Sequence, residues 1–255
     1  MIKYTAQNIL ITGATSGIGE ALARHYAQNK VRTLFLCGRN KERLEQVGGF
    51  CRECGVKVYT RILDVAQREE VGKWIEECNK TAPLNLVYAN AGVATLEETD
   101  KNVFKTFDIN VMGVVNTVLP AIEVYRHRRG NSPKAIAITS SIAGYHGMPT
   151  CPSYSASKAC TKAWGEGLRL ALAKEGIRVS VICPGFVKSR ITEKNTCPMP
   201  FLMEADAAAK LIAARVERNV GLIAFPWPMR LAVWLGSILP NCVSDFIYSK
   251  LPYKV

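Results

Sequence analysis

Asn8-Ile9-Leu10-Ile11-Thr12 runs without a break into Gly13-Ala14-Thr15-Ser16-Gly17-Ile18-Gly19. The first five residues read as a short buried strand, the glycines as a tight turn, and the residues from Gly17 as the opening of a helix. Gly13 and Gly17 let the chain turn sharply and approach a pyrophosphate, with Thr15, Ser16 and Ile18 completing the turn. Gly19 lets the helix pack closely on the sheet, and the N–H groups of the helix start then meet the anion. The spacing is G-x-x-x-G-x-G rather than G-x-G-x-x-G, so the strand–turn–helix context carries the reading.

The same alternation continues outward from this turn. Apolar runs at Arg32–Cys37, Val56–Ile62, Leu84–Tyr88, Ala135–Thr139, Val179–Ile182 and Leu222–Phe225 read as further buried strands. Amphipathic segments between them predict helices at about 17–29, 41–54, 67–80, 100–127, 153–175 and 204–218. Strands that alternate with helices imply right-handed crossovers and a parallel sheet covered on both faces. Seven strand signals with no linker or internal repeat predict one doubly wound α/β domain over residues 1–225.

With 48% hydrophobic and 21% charged residues, the 255-residue chain can bury one large core and is not of disordered composition. No signal-peptide pattern precedes the first strand, and no run of apolar residues is long enough for a clear membrane span. Nine scattered cysteines lack the spacing of a disulfide framework, so reduced thiols and a cytoplasmic location are expected. Cys51-Arg52-Glu53-Cys54 has no second cysteine pair or nearby histidine, and no metal site is expected there. The net charge of +12 includes the run Arg126-His127-Arg128-Arg129, which falls where a helix end favours cations. No interleaving of aromatic and basic residues supports nucleic-acid binding.

The second strand ends at Gly38-Arg39-Asn40. An acid at this place would bind the ribose hydroxyl of NAD, whereas a cation accommodates the 2′-phosphate of NADP. Arg39 therefore favours NADP, with NAD still open, and Asn40 suits a helix N-cap. Farther along, Tyr154 and Lys158 stand four residues apart, on one helical face. A phenol has a pKa near ~10, and an ammonium on the same face is expected to lower it toward neutrality, making a usable acid/base. Ser141 stands thirteen residues before Tyr154.

Together these residues closely resemble the short-chain dehydrogenase/reductase family over about residues 5–225. Thr12-Gly13 with Gly17-Ile18-Gly19 is similar to the family's cofactor turn, in a Rossmann-like fold. Asp64-Val65 resembles its adenine-contacting pair, and Asn90-Ala91-Gly92 its N-A-G element, which supports the central sheet and borders the cofactor. Asn110, Ser141, Tyr154 and Lys158 match its catalytic positions. Pro184-Gly185-Phe186-Val187-Lys188-Ser189 resembles the loop beside the nicotinamide, with Ser189 where threonine is usual.

The resemblance implies hydride transfer between a nicotinamide and a carbonyl or secondary alcohol. Tyr154 would supply or accept the proton, and Lys158 would lower the phenol pKa and hold the nicotinamide ribose. Ser141 would hydrogen-bond the substrate oxygen, and Asn110 would hold a water that links Lys158 to solvent. Two other classes compete: a cofactor-sensing regulatory protein and a membrane-surface scaffold on the same fold. An intact Ser141, Tyr154 and Lys158 argues against a sensor, which needs no proton donor.

The chain departs from the pattern after Phe225. Many tetrameric members end in a strand and an Asp-Gly-Gly tail. Here residues 226–255 hold four prolines, two tryptophans and the cations Arg230, Lys250 and Lys254. A homodimer through the helices at 100–127 and 153–175 is expected instead of the tetramer. Met229–Leu239 predicts a helix of about three turns, too short to span a bilayer, that packs on the domain, meets another subunit or rests on a membrane surface. Met199, Pro200, Phe201, Leu202 and Met203, with Met148 and Pro149, predict an apolar pocket mouth suited to a small apolar carbonyl or alcohol.

Overall fold

The computed structural model describes residues 5–95, 97–128, 130–193 and 198–249. Arg129, Lys250 and Lys254, and part of the 186–203 loop, lie outside the described residues. Among the described residues there are seven strands: β1 Asn8–Thr12, β2 Thr33–Gly38, β3 Lys57–Ile62, β4 Leu86–Ala89, β5 Ala135–Thr139, β6 Arg178–Pro184 and β7 Leu222–Phe225. All pair in parallel, in the order β3-β2-β1-β4-β5-β6-β7. The order reverses between β1 and β4, which opens a crevice at the carboxyl ends of the strands.

Alternate side chains of each inner strand serve opposite faces of the sheet. Ile9 and Ile11 join the core under α1 (Gly17–Gln28), α2 (Lys41–Glu53) and α8 (Ala205–Glu217), while Leu10 points into the other core. That second core lies under α3 (Arg68–Thr81) and α5 (Gly113–Arg126) and takes Phe35, Trp74, Ile136 and Ile138. Two cores on two faces are what a fully covered parallel sheet requires.

Three expectations change. The strand Lys57–Ile62 is not buried: Tyr59 and Ile62 are exposed, because β3 is the sheet edge. The long helix expected at 100–127 is interrupted. α4 (Asp100–Phe107) passes through a π-helical turn, Asp108–Met112, into α5. Such a turn adds one residue to the helix and commonly marks a functional site.

The third change is in the tail. α9 (Trp227–Ile238) starts two residues earlier than expected, with proline in its first turn, where no N–H partner is needed. A second helix, α10 (Asn241–Ser249), follows it. α9 packs on the 3-10 turn Ile142–Tyr145 and on β7 through Met229 and Val233.

The basic run is structural in its described part. Arg126 forms two bonds to Glu175, at 2.7 and 2.8 Å, and His127 contacts Glu123 at 2.7 Å. Arg128 binds the carbonyls of Leu84 and Pro133. Cys51 donates its thiol to the carbonyl of Ala23, and burial pushes that thiol up to about 12.

Candidate active site

The crevice is a cleft of about 1000 Å³ along the carboxyl ends of β1, β2, β4, β5 and β6. Its wall begins at the glycine turn. Gly13 and Gly17 have φ of +69° and +55°, a region that disfavours side chains, and a Cβ on Gly13 would come within 2.7 Å of the Ala91 backbone. Ser16 is the N-cap of α1 and makes no side-chain cap bond, so its hydroxyl is not spent on its own helix. This cradle fits a pyrophosphate.

Thr12 braces the floor. Its hydroxyl donates to the carbonyl of Tyr88 at 3.1 Å and accepts from the amides of Asn90 and Ala91, at 3.0 and 3.2 Å. Asn90 returns a bond from its amide nitrogen to the Thr12 carbonyl at 3.0 Å and accepts from the Thr139 hydroxyl at 3.2 Å. One side-chain set thus ties β1, β4 and β5 together.

At one end of the cleft stand Arg39, Asn40, Asp64 and Val65. Asn40 caps α2 by accepting from the Arg43 amide at 2.9 Å. Arg39 lies 3.6 Å from Asp64, on a half-exposed pair. Arg43, which the sequence reading missed, joins them. Arg43 lines the cleft and is partly buried, with Nε and one terminal nitrogen of its guanidinium buried and without a protein partner. A buried guanidinium left so is costly unless an anion meets it.

At the other end stand Ser141, Tyr154 and Lys158. α6 (Pro152–Ala171) carries Tyr154 and Lys158 and is fixed at three points. Glu98 accepts from the amide and hydroxyl of Ser153, at 3.1 and 2.8 Å, which caps the helix start from a distant segment. Ser140 donates to the Lys158 carbonyl at 2.6 Å, and Gly144 lies so close to that carbonyl that a Cβ would come within 2.8 Å of it. Ser140 therefore anchors the helix, whereas the Ser141 hydroxyl accepts from the Ala143 amide at 3.1 Å, donates to the Pro184 carbonyl at 3.5 Å and lies beside the Tyr154 phenol.

Lys158 is 4% exposed; its ammonium donates to the Thr139 carbonyl at 3.1 Å and lies 5.7 Å from the Tyr154 ring centroid. Burial decides both titrations. It pushes the phenol up to about 12 against the influence of the neighbouring Ser141 hydroxyl, and it pushes Lys158 down to about 8. The expected lowering of the phenol is thus reversed in the protein alone, because desolvation dominates and outweighs the neighbouring Ser141 hydroxyl.

A stability consequence follows with a definite sign. Lys158 titrates near 10.5 when unfolded and near 8 when folded, so burying it as an ammonium opposes folding at neutral pH. The cost is largest below pH 8, on the order of 3 kcal/mol, and fades to nothing as pH rises through the unfolded value. Lys158→Met should therefore raise the melting temperature at pH 7, by an amount that shrinks in thermal scans toward pH 10.5. A gain that is constant with pH would contradict the burial account.

All the sequence-selected site residues line the cleft except Gly19 and Asn110. Gly19 sits behind the turn, where a Cβ would meet the Gly13 carbonyl oxygen at 2.3 Å and the Asn90 amide at 2.6 Å. Its absent side chain lets the turn close on itself rather than on the sheet at large. Asn110, in the π turn, is fully buried. Its amide nitrogen donates to the Val93 carbonyl at 2.9 Å and to Ser157 at 3.0 Å, and its oxygen accepts from the Val93 amide at 2.8 Å. It stands behind Gly92, whose absent Cβ would lie 3.3 Å from both Asn110 and Lys158.

Ser189 is held by Thr192, whose hydroxyl accepts from the Ser189 amide at 2.8 Å; Thr192 lines the cleft as well. The apolar mouth differs in part from expectation. Met148, Pro198 and Pro200 line it, but Met199, Phe201 and Leu202 do not, and Met203 packs into the core beside α8. Met229 and Val233 of α9 complete the apolar wall. Gly185 admits α9, since a Cβ there would come within 3.0 Å of Pro226 and 3.1 Å of Met229.

Known proteins agree with this geometry. Residues 7–198 match the short chain dehydrogenase family. An "uncharacterized oxidoreductase" of Myxococcus xanthus is 35% identical over 96% of this chain and 97% of its own length. Human 17-beta-hydroxysteroid dehydrogenase 13 is 27% identical over 94% of this chain and 81% of its own. Among solved structures, a short-chain dehydrogenase from Sphingobium yanoikuyae in complex with NADPH has the same fold. Its TM-score is 0.77, with 23% identity over 96% of each chain. One from Mycobacterium paratuberculosis bound to NAD gives a TM-score of 0.75, with 22% identity over 87% of this chain and 97% of the other. With the phosphate cradle at one end of its cleft, the hydroxyl pair at the other and these relatives along its length, the chain belongs to the short-chain dehydrogenase family and is an NAD(P)-dependent oxidoreductase.

Proposed function

We propose that this protein is an NADPH-dependent reductase of apolar ketones or aldehydes, with Tyr154 as its proton donor. The observation that carries the reading is the cleft's polarity. Two guanidinium groups, Arg39 and Arg43, stand at one end, and the partly buried Tyr154 phenol stands beside Ser141 at the other, among apolar walls.

The preference for NADPH rests on Arg43 more than on Arg39. A 2′-phosphate would supply the anion that the buried Arg43 nitrogens lack, whereas the ribose hydroxyl of NADH would not. Gly13, Gly17 and Ser16 would hold the pyrophosphate, Asp64 and Val65 the adenine, and Lys158 the nicotinamide ribose. When bound, the nicotinamide supplies a hydride to the carbonyl carbon.

The residues of the chain handle the proton. Ser141 hydrogen-bonds the substrate oxygen and stabilises charge as it forms. Tyr154 gives its proton to that oxygen, and the Lys158 ammonium on the same helix face stabilises the phenolate that remains. A phenol held near 12 is protonated throughout the neutral range, and so ready to act as an acid. Asn110 acts as a positioning residue, since its side-chain amide is committed to Val93 and Ser157.

Met148, Pro200, Met229 and Val233 suit a substrate with apolar bulk. Assayed by NADPH oxidation, kcat/KM should rise along a series of ketones of increasing alkyl length. A preference for charged or small polar ketones would overturn the substrate class, and no turnover on any carbonyl would overturn the function.

A homodimer is the proposed assembly. Phe104, Phe107, Met112, Leu119 and Leu170 are large, apolar and exposed on α4, the π turn, α5 and α6, where a second copy would cover them. Light scattering should give the mass of two chains.

A further inference from the structure

α9 presents two apolar faces with different neighbours. Met229 and Val233 turn inward and roof the cleft. On the opposite side Trp227, Leu231, Trp234, Leu235 and Ile238 form a stripe one helical face wide, at spacings of three and four residues. All five are exposed, Trp227 by 74% and Ile238 by 60%. α10 adds exposed Val243 and Ile247.

We propose that the outer face of α9 seats on an anionic lipid surface, so that the helix roofing the cleft is also the membrane contact. Three features select this occupant. Two tryptophans on one short helix suit the headgroup boundary, where an amphipathic ring has both an apolar and a wet side. α9 holds no acidic residue, and Arg230 is exposed on its flank. From Arg218 to Val255 the sequence has Arg218, Arg230, Lys250 and Lys254 against the single acid Asp245. An anionic surface attracts such a segment.

The location of the contact gives it a purpose. With Trp234 in the lipid boundary, Val233 at the next position faces the cleft. An apolar substrate dissolved in the bilayer then meets the cleft mouth without crossing water. This entry route rests on the apolar carbonyl reading proposed above; the lipid contact itself does not.

Flotation of the full chain with phosphatidylcholine vesicles, with and without phosphatidylglycerol, tests the proposal. The protein should float with the phosphatidylglycerol vesicles, release in high salt and show a blue shift of tryptophan emission. Trp234→Ser combined with Ile238→Ser should lower vesicle partitioning by at least about tenfold. Both side chains lie outside the cleft, so the rate on a short water-soluble ketone should be unchanged, which also shows that the variant is folded. The proposal fails if the full chain floats with neither vesicle type, or equally with both. It fails also if the double variant floats like the parent, or if it only halves the mass in light scattering. A parent that floats but reduces no ketone overturns the proposed function and leaves the lipid contact standing.

Discussion

Tyr154→Phe lowers kcat by about 10²–10⁴, the usual contribution of a positioned general acid, and leaves NADPH binding within about twofold. The ring stays in place, so its packing is kept, and the lost hydroxyl strands no partner: Ser141 still has the Ala143 amide at 3.1 Å and the Pro184 carbonyl at 3.5 Å. The stability change should therefore stay near 1 kcal/mol, the net value of one hydrogen bond. Binding is read from the fluorescence of the reduced nicotinamide and turnover from its oxidation, so the two effects separate. Near-normal turnover in this variant would move the proton donor elsewhere. It would also revive a sensor or scaffold role, since neither needs the phenol.

Arg43→Ala has the second largest expected effect, and it is selective. A hydrogen bond to a charged group is worth about 1.5–3 kcal/mol, so the KM for NADPH should rise by about 10–100-fold while that for NADH moves little. Arg39→Ala should do less, because Arg39 is half exposed and already shares its charge with Asp64 at 3.6 Å. A second readout needs no turnover. Removing a partly buried guanidinium with two unpartnered nitrogens should raise the melting temperature of the protein alone, and it should shrink the further rise that saturating NADPH produces. Equal losses for both cofactors would show that Arg43 supports the fold of α2 rather than the phosphate.

Much of this site can be read directly from the chain, for a local reason. β1, β5 and β7 occur at their expected residues because each is a continuous apolar run with a glycine, serine or proline beside it. The phosphate cradle is legible because its glycines sit between a strand and a helix, and Tyr154 with Lys158 because four residues place them on one helix face. Asn90 and Ser141 are legible through the resemblance to the family. What escaped depends on partners far along the chain or on burial. Glu98 caps α6 from 55 residues away, and no local pattern announces it. Arg43 reads as a surface charge on an amphipathic helix until its orphaned nitrogens are located.

The π turn is hidden for a different reason, since Asp108-Ile109-Asn110-Val111-Met112 has nothing to interrupt a helical pattern. The phenol pKa shows the limit most plainly. Spacing places the ammonium on the correct face, but the direction of the shift is set by the desolvation of the phenol in the fold. β3 alternates along Lys57–Ile62 in the manner of an edge, yet only the strand order tells which strand lies outermost.

The Thr12–Asn90–Thr139 brace makes the cleft a gauge of fixed length. Three neighbouring strands fix the floor of the span from the phosphate cradle to the proton-delivering hydroxyl, and Ser140, directly after β5, ties the helix that bears this hydroxyl to the same floor. Loops and tail around the far end can change shape to admit new molecules while that span stays constant. Catalytic distance and substrate choice are thereby assigned to separate parts of the chain, free to vary independently.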